Sequence, residues 1–375
     1  MKNKKIALIA HYGEDYYKSR VDFLSFLEEN NMDCISFVPD DDYRSKIEKL
    51  GKKVYYYNYS RSWRFIFSLI TVYNFFVKAL RREKPELLFT YKFFPNCVGI
   101  LAARKAKINK IVATVAGIGF LEKRDQSFLI KMVFLLYMRI LDKASLVIAQ
   151  NAEDKFLLEK HMKHARVIMT NGSGVNADNL VLDNYERFIS DNALDKNKKY
   201  ITFCSRILKE KGILELINAF NSVSKDRPFP YDLIIAGWFD EKGLEERVVD
   251  LSKGNAQIHI LGYQKNVANI LQISEVFTLP SYYPEGVPRS LIEATSLAKI
   301  IITTDHKGCR ETCIDGYNGF LVKPKSHDGL KNALNKLAQM SAHEIELLKQ
   351  NSRKLFTEKF DRNVVFKSIL NEVSE

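Results

Sequence analysis

Two glutamates eight residues apart, Glu285 and Glu293, stand in the segment Leu279-Pro-Ser-Tyr-Tyr-Pro-Glu285-Gly-Val-Pro-Arg-Ser-Leu-Ile-Glu293. An apolar run ends at Leu279, a loop carries Glu285 and Gly286, and Pro288 suits the first turn of a following helix. Glu285 then lies at the loop mouth, with Glu293 about one and a half turns into the helix. The backbone N–H groups of Gly286 and Val287 would face an anion bound there, favoured by the helix dipole. A carboxylate inside the helix can accept both hydroxyls of a ribose, and Glu285 can hold sugar hydroxyls. The spacing alone is equally that of a helix with an N-terminal acid and one solvated acid.

A second segment changes that balance. Some eighty residues upstream, an apolar run leads into Cys204-Ser-Arg206-Ile-Leu-Lys-Glu-Lys211-Gly212, ahead of a helical pattern over 213–223. Arg and Lys at a strand-to-helix junction can clamp a diphosphate, Arg by its fork and Lys as a point charge. Cations at a helix start are otherwise disfavoured by the dipole, so their presence points to an anionic ligand. Downstream, Asp305-His-Lys-Gly308-Cys-Arg-Glu311 follows another apolar run, and Gly308 would let backbone approach a ligand closely. Asp315-Gly-Tyr-Asn-Gly319-Phe-Leu-Val reads as a hairpin-type turn entering a strand.

The elements that must position these residues come in two series. Strands are expected at 6–10, 34–38, 54–57, 87–91, 111–115, 146–149 and 167–170, with helices over 21–30, 66–83, 95–106 and 128–142 between them. After the turn cluster Asn171–Asp178 and a polar stretch over 183–199, a second series begins at Tyr200 and continues through 233–236, 258–261, 276–279 and 300–303. Such alternation predicts an α/β fold of two doubly wound, Rossmann-like halves joined near 171–199, with ligands at strand C-terminal ends in the cleft between them. A length of 375 residues fits two domains.

Composition narrows the class. Hydrophobic content of 46% and charged content of 27% are those of a globular protein. Five scattered cysteines (Cys34, Cys97, Cys204, Cys309, Cys313) fit a reducing compartment, and Cys309/Cys313 lacks the companions a zinc site needs. Arg206, Lys211 and the loop over 285–287 could stabilise a departing anion without a metal, so a metal-independent reaction is expected. The first apolar run, Ile6–Ala10, is too short for a signal sequence, and the longest, 128–141, is interrupted by Lys131 and Arg139. A cytoplasmic protein is expected. The formal charge of +12 is uneven: residues 51–150 hold 18 Lys and Arg against 5 Asp and Glu, while the remainder is balanced. Within that stretch Tyr55–Tyr59, Arg61, Trp63, Arg64, Phe65, Phe67, Tyr73, Phe75, Phe76, Lys78, Arg81 and Arg82 interleave rings with cations, as a surface touching anionic headgroups does. A core-packing helix with a solvated basic face has the same pattern. Nucleic acid is the weaker reading, since no reader motif is present.

Arg206…Lys211-Gly212, the Glu285/Glu293 pair with Gly286 and Pro288, and Gly316/Gly319 together resemble glycosyltransferase family 4, retaining enzymes of GT-B fold. The resemblance implies that Arg206 and Lys211 bind a donor diphosphate, Glu285 contacts the transferred sugar and Glu293 the ribose, making Glu285, Arg206 and Lys211 the catalytic set. It implies too that Leu261-Gly262-Tyr263 lines a nucleobase pocket and that a last helix near 362–373 crosses back to the first domain. That gives an N-terminal acceptor domain over 1–178, a nucleotide-sugar domain over 179–359 and a returning helix over about 360–375. In the first half, Ala10-His11-Tyr-Gly13 with Arg20, Lys92-Phe-Phe-Pro95-Asn96, Ala116-Gly117-Ile-Gly119 and Asn171-Gly-Ser-Gly174-Val resemble bacterial transferases that extend undecaprenyl-diphosphate-linked sugars in O-antigen, capsule or glycan assembly. Gly13 would border the donor, and His11, Glu14, Arg20, Gly117 and Gly119 are candidates for the sugar or acceptor. The resemblance implies a UDP-sugar donor, UDP-GalNAc first and UDP-Gal or UDP-GlcNAc next. It also implies a lipid-linked saccharide acceptor and a place on the inner face of the cytoplasmic membrane. A UDP-sugar epimerase of the same fold is the rival reading; His11 is equally readable as a satisfied loop histidine, and Trp238 and Tyr263 are expected as packing residues near the cleft.

Overall fold

A computed structural model describes residues 4–58, 65–119, 127–224 and 228–374, with only the backbone for 65–67. Arg61, Trp63 and Arg64 lie outside the described residues. The chain divides into two units, 1–174 with 362–375, and 175–361.

The first unit holds seven parallel strands: β1 Lys5–Ile9, β2 Asp33–Pro39, β3 Val54–Tyr57, β4 Leu87–Tyr91, β5 Lys110–Thr114, β6 Leu146–Ala149 and β7 Arg166–Met169, in the order β3-β2-β1-β4-β5-β6-β7. Their near-continuous apolar sequences follow from burial on both faces. Alternate residues sort into two cores. Ala7, Ile9, Ile35, Phe37 and Leu88 face the helices Phe65–Glu83, Phe93–Lys105 and Phe128–Leu141. Ile6, Leu8, Val38, Leu87 and Phe89 face the helix Val21–Glu29 and the last helix, Arg362–Ser374.

The aromatic residues of Phe65–Glu83 resolve the ambiguity noted for the basic stretch. Phe76 is fully buried, 5.6 Å from the Phe37 ring and 5.0 Å from Tyr57, and Phe75 and Tyr73 pack on the same core. The exposed side carries Lys78, Arg81 and Arg82. In the described part, then, Phe76 is core, Tyr73 and Phe75 pack partly buried against it, and the cations reach the surface.

The second unit holds β8 Lys199–Cys204, β9 Tyr231–Ala236, β10 Ile258–Gly262, β11 Ser274–Leu279, β12 Ile300–Thr304 and β13 Gly319–Val322, all parallel, in the order β10-β9-β8-β11-β12-β13. The segment Asp315–Val322 has the expected tight turn, Gly316 N–H donating to the Gly319 carbonyl at 2.8 Å, but no antiparallel partner strand. It enters β13, which lies parallel to β12, and a Cβ on Gly319 would sit 1.8 Å from the Ile301 carbonyl oxygen. Close strand approach, rather than a hairpin turn, selects glycine there.

The units are joined at 174/175 and 361/362. Val175 belongs to the second unit because its N–H donates to the Phe360 carbonyl and its side chain is buried with Val287, Ile292 and Phe360. Across the junction, Phe366 of the last helix packs 5.0 Å from Phe23 and 5.4 Å from Phe26. A buried phenylalanine cut to alanine costs about 3–5 kcal/mol. Phe366→Ala is therefore expected to loosen the first unit alone. Native-state amide exchange checks this: faster exchange in β1 and β2, with β8 and β9 unchanged.

Candidate active site

In the second unit the chain winds outward from β8 in one direction and from β11 in the other, so the loops leaving their C-terminal ends diverge at a topological switch point. Those loops carry the residues singled out in the sequence. Lys211 ends a short 3-10 turn, Lys209–Lys211, rather than opening a helix. Gly212 follows in the left-handed region (φ 77°), and the helix Ile213–Ser224 begins after it. A Cβ on Gly212 would meet the Pro280 carbonyl oxygen at 2.2 Å, so the β8 loop rests directly on the start of the β11 loop. The contact is fixed by Tyr282 N–H donating to the Glu210 carbonyl at 2.8 Å. The loop after β12 closes from the other side. Gly308 (φ 81°) lies so near that a Cβ would be 2.1 Å from the Gly286 carbonyl oxygen, and the Thr304 hydroxyl donates to the Ser281 carbonyl. Gly308 thus serves loop-to-loop contact.

These contacts bring the charges together. Lys211 is buried and its ammonium pairs with the Glu285 carboxylate, which also accepts from the Ser281 hydroxyl at 3.4 Å. The Tyr283 ring has Lys211 Nζ 5.3 Å and the Arg206 guanidinium 5.8 Å from its centroid, so both cations lie against it. Arg206 is more open and donates to Asp240 at 3.2 Å. Pro288 caps the eight-residue helix Arg289–Ser296 instead of lying in its first turn, and Glu293 inside that helix accepts from Arg289 at 2.8 Å. Burial, together with the nearby Glu293 charge, pushes the Cys204 thiol up to about 12. Burial and Glu285 do the same for Cys309, so neither thiol is a nucleophile.

Gly262, with φ 64°, turns the chain at the end of β10, and its carbonyl accepts from Gly237 N–H at 2.8 Å. Tyr263 and Trp238 are not packing residues: both are about half exposed, in edge contact at 5.8 Å, at the ends of β10 and β9. They offer exposed aromatic surface near Arg206, whose next neighbour Ile207 donates its N–H to the Trp238 carbonyl at 2.9 Å. Ser281 and Tyr283 escape a reading of the sequence. Their only signal there is that polar and aromatic residues occupy the loop between Leu279 and Glu285.

The first unit gathers a different set at the ends of β1 and β4. Gly13 N–H donates to Asp41 at 2.7 Å, and a Cβ there would collide with that carboxylate. His11 is half-buried against Tyr12 (4.0 Å), and Glu14 accepts from Lys18 at 2.7 Å and Tyr43 at 3.2 Å. Arg20 is buried 4.0 Å over the Tyr91 ring and pairs with Asp15 at 3.4 Å. Lys92, at φ 70° just before Phe93–Lys105, reaches the same Asp15 at 3.2 Å. Asn96 is wholly occupied within the fold, donating to the Thr114 carbonyl and the Tyr137 hydroxyl, both at 3.0 Å, and accepting from Thr90. Gly117 (φ 94°) and the buried Gly119 lie in the loop after β5.

Burial alone would raise the Asp15 carboxyl, but Arg20 and Lys92 override it and hold it at about 2. A depressed folded-state value stabilises the fold above the unfolded value and is lost as pH falls through the folded one. Asp15 should therefore contribute about 2 kcal/mol at neutral pH that disappears between about pH 4 and pH 2. Urea titrations across that range check it, because the curve of Asp15→Asn should be flatter than that of the parent by this amount.

Two family models match the chain. Residues 5–151 match "Glycosyl transferase 4-like" and residues 184–355 match "Glycosyl transferases group 1". Among characterised proteins, the chain is 25% identical to the Campylobacter jejuni N,N'-diacetylbacillosaminyl-diphospho-undecaprenol alpha-1,3-N-acetylgalactosaminyltransferase, over 96% of both. It is 24% identical to an Escherichia coli UDP-Gal:alpha-D-GlcNAc-diphosphoundecaprenol alpha-1,3-galactosyltransferase, over 71% of this chain and 69% of the relative. Among solved structures, Anabaena HepE in complex with UDP and glucose superposes with a TM-score of 0.80 at 16% identity, over 99% of this chain and all of the other. A Rickettsia africae glycosyltransferase reaches 0.83 at 18%, covering 100% and 98%. With two Rossmann-like sheets, and a family match over nearly all of each half, the chain belongs to the GT-B glycosyltransferases, with a glycosyl transferase 4-like first half and a group 1 second half.

Proposed function

We propose that this glycosyltransferase moves a sugar, GalNAc first among the candidates, from a UDP-sugar to an undecaprenyl-diphosphate-linked saccharide at the cytoplasmic face of the membrane. The anomeric configuration is retained and no metal takes part. The observation that carries the reading is the Lys211–Glu285 pair at the β8/β11 switch point, with Arg206 against the same Tyr283 ring. Cleaving the sugar–phosphate bond develops charge on the diphosphate, and fixed cations in a partly buried site stabilise that charge most where it is largest. Lys211 and Arg206 suit this task, Glu285 suits the sugar hydroxyls, Glu293 the ribose, and the exposed Tyr263 and Trp238 the base. Gly286 and Val287 add backbone N–H groups next to Glu285. The acceptor class is supported by the Campylobacter and Escherichia relatives, whose names specify undecaprenol-diphosphate-linked sugars.

In the proposed reaction the bond from the anomeric carbon to the donor phosphate breaks. A new bond to the acceptor hydroxyl forms on the same face, and the hydroxyl proton passes to a donor phosphate oxygen, releasing UDP. The first-unit residues His11, Glu14, Arg20, Gly117 and Gly119 are proposed to serve the acceptor side, Arg20 by holding Asp15 and the β1 loop in place. Localisation at the inner membrane face follows from a lipid-linked acceptor; no helix of the described residues is long and apolar enough to cross a membrane.

A screen of UDP-sugars against a short lipid-diphosphate-linked saccharide, read by mass, tests the reading. A gain of one N-acetylhexosamine is expected, and conversion of the donor without any acceptor would instead mark an epimerase. Lys211→Ala and Arg206→Ala should each lower kcat by about 10²-fold or more, the scale of removing a partner of transition-state charge. Near-normal turnover in both would sink the assignment. Transfer measured in EDTA should match that in magnesium, and a loss restored by added metal would overturn the metal-independent mechanism.

A further inference from the structure

The helix Phe128–Leu141 is apolar on two faces, and only one of them is covered. Tyr137, Met138, Ile140 and Leu141 are buried, and Tyr137 is fixed by Asn96 at 3.0 Å. Phe134 lies partly buried with its ring 5.2 Å from His161 in edge contact, so the helix is firmly docked. Yet Phe128 is 78% exposed, Leu129 68% and Leu136 59%, with Met132 and Leu135 each more than half exposed. These five positions (i, i+1, i+4, i+7, i+8) form one stripe along the outer face. Together they present on the order of 500 Å² of apolar surface, the size at which a patch on a globular protein marks an interaction site.

The charges on the same face are all of one sign. The helix contains no Asp or Glu. Lys131 and Arg139 are exposed within or beside the stripe, and Lys143 follows just beyond it. Neither Lys131 nor Arg139 has a carboxylate partner among the described residues. Neighbouring helices add exposed Leu101 and Phe156. A second copy of the chain pairing through this stripe would bring Lys131 and Arg139 into one seam with their counterparts, which is repulsive. A bilayer carrying anionic headgroups meets both features, taking the apolar side chains into its acyl region and the cations at its phosphates. At fourteen residues the helix is about 21 Å long, too short to span a bilayer but suited to lying in its plane.

We propose that Phe128–Leu141 is the membrane-docking element, with Phe128, Leu129, Met132, Leu135 and Leu136 inserted at the interface of an anionic bilayer and Lys131 and Arg139 against its headgroups. The element differs from the ring-and-cation stretch around 61–82 that the sequence suggested. The inference deepens the reading of a membrane-borne acceptor and rests on it for its purpose, but it is measured without any sugar. Gly117 and Gly119, proposed for the acceptor side, precede this helix by only about ten residues of sequence.

Flotation of the purified full-length chain with phosphatidylcholine vesicles, and with vesicles one third phosphatidylglycerol, tests the proposal. The parent is expected to float with the anionic vesicles, less so as salt rises. Leu129→Gln/Leu136→Gln should lower the bound fraction on the order of tenfold. Lys131→Glu/Arg139→Glu should lower it on anionic vesicles only, and Lys78→Glu/Arg82→Glu should leave it within about twofold. Unchanged thermal unfolding of the glutamine variant shows that it is folded. As a second measurement, Met132→Trp should show quenching by brominated lipid that the parent lacks. Undiminished flotation of the folded glutamine variant, or no added quenching in Met132→Trp, overturns the proposal. So does a lipid-free dimer that the glutamine variant converts to a monomer, since a second copy would then be the occupant. Transfer to a detergent-solubilised acceptor separates the two readings: with transfer intact and no vesicle binding, only the docking element fails, and with binding but no transfer, only the proposed reaction fails.

Discussion

An ammonium group taken out of water costs several kcal/mol unless a carboxylate and further polar groups meet it in good geometry. The candidate active site depends on how Lys211 meets that requirement. Its partner, Glu285, comes from a different loop, seventy-four residues on. The two meet because three loops touch through backbone where side chains would not fit. Gly212 sits on the Pro280 carbonyl and Gly308 on the Gly286 carbonyl, each in the left-handed region where glycine carries no steric penalty. Tyr282 bonding to Glu210 and Thr304 to Ser281 then hold the loops in register. The parallel sheet beneath sets which loops can meet, because β8, β11 and β12 are adjacent strands running the same way.

This explains why the site is more legible in the sequence than its spacing suggests. Arg206 with Lys211 and Glu285 with Glu293 lie in two segments far apart along the chain, but each segment follows an apolar run that reads as a buried strand. Once those runs are placed in a doubly wound sheet, the residues fall at one edge. What stays hidden is anything set by contact between loops. Ser281 and Tyr283 have no periodic pattern and matter only because Lys211 and Arg206 come to lie over the Tyr283 ring. Gly13 carries a similar ambiguity: its N–H is taken by Asp41, twenty-eight residues away, which no local pattern predicts.

The aromatic residues of the basic region mislead a sequence reading for another reason. Rings and cations alternating along a helix describe a core-packing face and a membrane-facing one equally well, because period alone does not say which side is covered. Phe65–Glu83 is covered by Phe37, Tyr55 and Tyr57 of β2 and β3, and its described rings, Tyr73, Phe75 and Phe76, pack into that core. Phe128–Leu141 is so uniformly apolar that it reads as buried on all sides. It lies toward the β6 side of the sheet, where the helices Phe93–Lys105 and Ala152–His161 pack on its inner face and leave the outer one open. Exposure there is set by what packs against the helix rather than by the helix sequence.

The two faces of the first sheet are also unequal in a way that bears on function. One is capped by Val21–Glu29 and the returning Arg362–Ser374 helix, whose Phe366 closes a ring cluster with Phe23 and Phe26. That face is sealed and tied to the end of the chain. The other is covered by three long helices, with a surplus of cations and the open apolar stripe. An uncovered stripe of this kind lowers solubility and invites aggregation, so a sequence under no demand for it would place polar residues at 128, 129, 132, 135 and 136. Five apolar residues at those positions, with lysine and arginine as the only charges on the helix, form a surface whose free energy is lowered by contact with lipid and raised by contact with water alone. The same unit therefore has one face committed to its own stability and one that is complete only when something apolar and anionic lies against it.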